Sequence, residues 1–386
     1  MFLFQYISFK FARLGLVIFY VFLGVACSAP DSELADQASQ LNKTSKSIRL
    51  DTLFETLAEQ GFQGGAVLAK DGEVLWSGSY GKADIKTGRS LDSDSIYELA
   101  SVGKSYTAMA VLTLVEKNKL ELNATAKSYL ENFPYSDITI EHLLTHTSGL
   151  PDYTESLSEE ELPNGFSNFL SNEDIILWLA SGQDDRLFQG GEKFSYSNSN
   201  YIALALIIEI ASGQTFAEYL TDNVFKPLGM LHTSSFTERF TSGDIPTNYA
   251  FGYVTNEMGE MELPESLPSN KFLPVLSTLE GDGTVIGRLN DFSKWEPAWT
   301  TDILIGARLR QKALSPYRLN DSSMSEYGYG WRTDSKKNLV FHWGGWPGYS
   351  TGVYLDPETR TIIAYALTAP FNNWEWIGQF EALAFE

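Results

Sequence analysis

The sequence predicts a mixed α/β fold in which an antiparallel sheet is assembled from both chain ends and a largely helical region is inserted between them. Two observations carry this expectation. An apolar hairpin pattern lies near residues 64–78 and three strand patterns lie between 339 and 367, while the residues between them follow helical spacing. No internal repeat or long low-complexity tract breaks this plan.

The hairpin is read from Gly64-Gly65-Ala66-Val67-Leu68-Ala69 and Val74-Leu75-Trp76-Ser77-Gly78, separated by Lys70-Asp71-Gly72-Glu73, where Asp-Gly is a tight-turn pair. Lys86-Thr87-Gly88 reads as a second turn. From Ser101 to about Leu179 the spacing is helical, with Met109, Leu112 and Val115 on one face, and it becomes helical again over Tyr201–Leu220. Leu339–Trp343, Thr351–Leu355 and Thr361–Leu367 read as strands, the last two joined by an Asp356-Pro357 turn.

The 386 residues are 43% hydrophobic, enough for one substantial core, and a single domain over 48–386 is expected. The formal charge is −21, which disfavours nucleic acid and anionic lipid as partners. One cysteine, Cys27, rules out an intrachain disulfide. Lys10 and Arg13 followed by an apolar run to Ala26 have the layout of an export signal over 1–26. Leu23-Gly24-Val25-Ala26-Cys27 resembles a lipoprotein processing site, which implies a lipid anchor on Cys27. Cleavage near Ala29 and an uncleaved anchor are the alternatives. Residues 27–47, rich in Ser, Ala, Gln, Asp and Lys, read as a flexible tether.

Ser101-Val102-Gly103-Lys104 opens an apolar helix, and residues three apart on a helix share a face, so the Lys104 amine can reach the Ser101 hydroxyl. Burial and the positive end of the helix both favour release of the lysine proton, leaving a base beside a nucleophile. Ser79-Tyr80-Gly81-Lys82 repeats the pattern at a strand end, where residues three apart point to opposite faces, and reads as structural. Tyr196-Ser197-Asn198 is the only Tyr-x-Asn among 19 tyrosines and offers a phenol for proton relay. Its alternative reading is a loop tyrosine beside a helix cap. His342-Trp343-Gly344-Gly345 ends a strand with glycines that let backbone N–H groups approach a ligand.

In this order the three motifs resemble those of the serine β-lactamase and penicillin-binding-protein family. Leu143–Pro151, Pro227–Met230 and Tyr327–Trp331 also look like family segments, and the Tyr-x-Asn form is similar to the branch of class C β-lactamases, D-Ala-D-Ala carboxypeptidases and β-lactamase-like esterases. The resemblance implies the β-lactamase/transpeptidase fold and acyl-enzyme chemistry on an ester or amide, without cofactor or metal. It makes Ser101 the nucleophile, with Lys104 and Tyr196 sharing the proton transfers. Asn198 would hold the acyl side chain, and the backbone N–H groups of Ser101 and Gly345 would form an oxyanion hole. His342 stands where many lactamases carry a lysine facing the substrate carboxylate, and Trp343 replaces a small hydroxyl residue. Trp343-Gly344-Gly345 is similar to the Trp-Gly-Gly of the esterases, so an esterase or carboxypeptidase-type peptidase is favoured over a β-lactamase. A non-catalytic penicillin-binding sensor is the rival from another class. The implied partners are a small-molecule or peptide substrate and a membrane at the lipid anchor; oligomeric state is left open. His142 and His146, four apart in an expected helix, have zinc-pair spacing but lack the glutamate of the protease motif, and read as packing residues.

Overall fold

A computed structural model describes residues 31–156, 169–182 and 186–386. Helix α1 spans Asp31–Glu59, so residues 31–47 are helical and not the flexible tether that their composition suggests. No Gly or Pro interrupts the segment, and Ala, Leu, Gln, Lys and Glu are good helix formers. Residues 1–30, with the export signal and Cys27, lie outside the described residues. A compact unit covers Thr44–Glu386.

Strands β1 (Gly64–Lys70) and β2 (Glu73–Tyr80) form the expected hairpin. Short strand β3 (Ile96–Glu98) leads into a 3₁₀ turn at Ala100–Gly103 and then α2 (Lys104–Glu116). Next come α3 (Ile140–Leu144), α4 (Asn172–Ser181), α5 (Ser199–Ser212) and β4 (Ser234–Ser235). They are followed by β5 (Val285–Arg288) and α6 (Phe292–Thr300). The chain closes with β6 (Arg332–Asp334), β7 (Leu339–Trp346), β8 (Tyr349–Asp356), β9 (Thr361–Leu367) and α7 (Glu375–Phe385).

The main sheet has the order β6-β7-β8-β9-β1-β2 and is antiparallel throughout, so the two chain ends meet where β9 pairs with β1. Both faces are covered. Along β9, Ile362, Ala364 and Ala366 enter the larger core with α2 and α5, whereas Ile363, Tyr365 and Leu367 meet α1 and α7 through Phe54, Trp376 and Phe380. A second sheet, β3-β5-β4, was not anticipated because its strands are only two to four residues long.

The helical stretch read from Ser101 to Leu179 is shorter in the structure. Helix α2 stops at Glu116, Asn118 takes a positive φ of 55°, and the chain then runs through turns with only short helices before α4. Helix α2 is buried on every side from Lys104 to Leu114, which makes it the central helix of the larger core.

The sheet is locked to the start of this helix. Thr351 Oγ1 on β8 donates to the Leu99 carbonyl at 2.8 Å, and β7 lies against the 3₁₀ turn at Gly344. A Cβ at Gly344 would fall 2.3 Å from Thr351 Oγ1, 2.6 Å from Leu99 O and 3.0 Å from Ser101 N. Two of those atoms are backbone, so relief requires the strand or the turn to move. Gly344→Ala is therefore expected to cost about 1–3 kcal/mol. Gly345→Ala, whose Cβ meets nothing within 4 Å, should leave stability unchanged. Urea unfolding of both variants checks the contrast, and equal midpoints would refute it.

Candidate active site

The 3₁₀ turn places Ser101 one turn ahead of Lys104, and this tighter helix eclipses residues three apart, which brings the two side chains together more directly than an α-helix would. Ala100, just before the serine, has a positive φ of 47°, a conformation that is costly for a residue with a Cβ. The second Ser-x-x-Lys behaves as its extended backbone predicts. Ser79 Oγ donates to the Asp92 carbonyl and Lys82 Nζ to the Gly88 carbonyl, so the pair does not cooperate.

Lys104 is completely buried. Its Nζ donates to Asn198 Oδ1 at 2.7 Å and to the Asp282 carbonyl at 2.6 Å, and lies 3.1 Å from Ser101 Oγ. The first two partners can only accept, while the serine hydroxyl can also donate. A neutral amine has two N–H bonds and one lone pair, so spending both protons on the obligate acceptors turns the lone pair toward Ser101. The arrangement suits a base acting on that hydroxyl.

Which end of the Asn198 amide faces Lys104 is fixed from behind. Its Nδ2 donates to both carboxylate oxygens of Asp152, at 2.9 and 3.2 Å, leaving Oδ1 for the lysine. Asn198 thus joins the side chains of Lys104 and Asp152 and also lines the cavity beside Ser101. The sequence reading did not single out Asp152.

Tyr196 is held over Lys104, with the amine 5.1 Å from the ring centroid. The imidazole of His146 lies against the other rings of this cluster, 4.2 Å from the Tyr196 centroid. It accepts the Ser197 N–H at Nδ1 (3.2 Å), and its carbonyl accepts the Ser195 N–H (2.9 Å), strapping the loop on either side of Tyr196. Burial, reinforced by Lys104, His342 and Arg332, holds this histidine neutral, well below the ordinary range. Helix α3 ends at Leu144 and His146 takes a positive φ of 54°, so His142 and His146 do not share a helix face. His142 instead caps α3 through Thr139, and among the described residues no cluster of three metal-ligating side chains forms.

His342 is buried, with Nδ1 on the Trp343 carbonyl (2.7 Å) and Nε2 on the Tyr327 hydroxyl (2.9 Å). Its pKa is pushed down to about 3 by burial and then by Lys104. The imidazole is neutral near pH 7 and does not line the Ser101 cavity, unlike the substrate-facing position expected from the sequence. Trp343, next along the strand, points to the opposite face of the sheet, where its Nε1 donates to Tyr354 OH at 2.6 Å and its ring meets Phe341. Gly345 does line the cavity with Ser101.

Two further residues stand out only in three dimensions. The Arg332 guanidinium lies 5.7 Å from the Tyr196 centroid, 5.9 Å from Tyr327 and 5.7 Å from Trp343, and no carboxylate pairs with it among the described residues. Asp282, 9% exposed, projects from the loop that supplies a carbonyl to Lys104. The only hint in sequence was Arg332 directly after Tyr327-Gly328-Tyr329-Gly330-Trp331.

Comparison with known proteins agrees with this geometry. The Beta-lactamase family model matches residues 50–385. The chain is similar to penicillin-binding protein 4* of Bacillus subtilis strain 168, at 37% identity over 333 residues, covering 83% of this chain and 72% of that protein. It superposes on a penicillin-binding protein from Bacillus halodurans with a TM-score of 0.73 and 26% identity, covering 86% of this chain and 98% of the other. A D-amino acid amidase from Ochrobactrum anthropi SV3 shares the fold at a TM-score of 0.69 and 20% identity, over 86% and 95% of the two chains. From its fold, from the meeting of its three motifs and from these matches, the chain belongs to the Beta-lactamase family and is a serine hydrolase acting on amide or ester bonds.

Proposed function

We propose that the chain is a carboxypeptidase-type peptidase that works through an acyl-enzyme on Ser101. Lys104 takes the Ser101 proton as Oγ attacks the substrate carbonyl carbon, and the backbone N–H groups of Ser101 and Gly345 hold the resulting oxyanion. Collapse breaks the bond to the leaving group, which takes its proton from Tyr196; Tyr196 regains one from Lys104. Water then attacks the ester by the same route and releases the acid. The shared acceptors of Lys104 are the observation that supports this division of labour.

Asp152 is the positioning residue for this pair. Asp152→Ala removes both bonds to Asn198 Nδ2, frees the amide to rotate, and turns a donor toward Lys104 in part of the population. Loss of such charge-assisted bonds is worth about 1.5–3 kcal/mol, so kcat should fall at least about tenfold with little change in KM. Steady-state kinetics checks this, and an unchanged kcat would remove Asp152 from the role.

Arg332 supports the choice of substrate. Its guanidinium lies beside the Tyr196 ring with no carboxylate paired to it among the described residues, and the leaving group must sit near Tyr196 to receive a proton from the phenol. A free carboxylate on the leaving residue would meet it. Arg332→Gln is expected to raise KM for a D-Ala-D-Ala peptide by about tenfold and to leave turnover of a short-chain p-nitrophenyl ester unchanged. Including a chromogenic cephalosporin in the panel separates peptidase, esterase and β-lactamase activity. If the ester is the one efficient substrate, the esterase reading replaces this one, and acylation without any turnover would favour a penicillin-binding sensor.

Export and lipid attachment at Cys27 complete the proposal and rest on the N-terminal sequence. Labelled fatty acid should enter the wild-type chain in a bacterial host and be lost in Cys27→Ser.

A further inference from the structure

The cavity beside Ser101 opens past Asn198 into a space of about 180 Å³ whose walls include Phe236, Phe240, Leu276, Leu279 and Trp346, and neither Tyr196 nor Arg332 lines it. With the leaving group assigned to the Tyr196 side, this apolar space receives the acyl part of the substrate.

Three charged side chains line it: Glu98, Arg239 and Asp282. The first two neutralise one another, since Arg239 Nη1 donates to Glu98 Oε1 at 3.0 Å and its other nitrogen is held by Glu265. Asp282 is different. Its Oδ2 accepts from the Tyr153 hydroxyl at 2.8 Å, and no Lys or Arg side chain pairs with its carboxylate among the described residues. Lys104 contacts this residue through the backbone carbonyl and spends its remaining contacts on Asn198 and Ser101. A carboxylate accepts up to about four hydrogen bonds, so this one, buried and facing an apolar cavity, keeps acceptor capacity in reserve.

A neutral acyl group settling into the cavity would cover that carboxylate without supplying a charged partner, which is costly. A cationic group would complete it. Asp152, on the far side of Asn198, adds a second negative charge to the same flank.

We infer that the substrate's acyl residue carries a free α-ammonium group that Asp282 receives, with an apolar side chain in the surrounding pocket. The enzyme would thus act on amides of amino acids or short peptides with an unblocked amino terminus. The inference rests on the acyl-enzyme reading above and narrows its substrate class.

The test compares p-nitroanilides of D- and L-alanine and leucine, each with a free or an acetylated amino group. The wild type is expected to prefer the free amine by about tenfold or more in kcat/KM for at least one enantiomer. Asp282→Asn keeps an acceptor for Tyr153 and removes the charge, and should bring the ratio of kcat/KM between the free-amine and acetylated substrates close to one. Equal use of both forms by the wild type would overturn the inference, as would an equal loss on both in Asp282→Asn. Tyr153→Phe should preserve the preference, which covers the case in which Asp282→Asn does not fold. Fluorophosphonate labelling of wild-type Ser101 runs in parallel. Labelling without an amine preference sinks only this inference, whereas no labelling and no turnover sinks the hydrolase mechanism itself.

Discussion

Burying the amine of Lys104 is the constraint on which the rest of the structure turns. An amine removed from water costs several kcal/mol unless its hydrogen bonds are replaced, and here the replacements come from positions 101, 198 and 282, three segments distant in sequence. The helical middle must therefore fold back so that the N-terminus of α5 and the loop before β5 both reach the first turn of α2. That requirement and the assembly of the nucleophile are one event, because any packing that satisfies the lysine also brings its amine to Ser101 Oγ.

The sheet contributes rigidity of another kind. Its central pairing, β9 with β1, ties the two ends of the chain together, and β7 and β8 grip the Leu99–Ser101 backbone through Gly344 and Thr351. Ala100 can then be held at positive φ, since the turn cannot relax without displacing a strand. Helix and sheet thus over-determine the position of one hydroxyl from opposite sides.

Much of this was legible in sequence, for identifiable reasons. The hairpin and the C-terminal strands announce themselves through Asp-Gly and Asp-Pro turns between apolar runs, and the Ser-Lys pair is local, so backbone geometry alone brings it together. Asp152, Asp282 and Arg332 carry no local signature, because each matters only through partners 46 or more positions away or on another element. Residues 31–47 were misread because a polar composition without apolar periodicity describes a tether and a helix equally well. The helical reading beyond Glu116 failed for the converse reason: apolar residues there are buried by tertiary packing and need no regular spacing of their own.

The strand motif shows how a departure in sequence becomes a change in chemistry. A lysine at position 342 would bring a cation to the strand, but His342 spends Nδ1 on its neighbouring carbonyl and Nε2 on Tyr327, and at a pKa of about 3 it has no proton to offer an anion. Trp343 cannot compensate, since strand alternation carries its indole to the other face. What β7 leaves at the cavity carries no charge: Gly345 and the indole of Trp346. Recognition of charge is thereby free to move off this strand, to Arg332 on the leaving-group side and Asp282 on the acyl side. On the proposed assignment, a substrate with an amine at one end and a carboxylate at the other would be oriented by Asp282 and Arg332 before the lysine takes a proton.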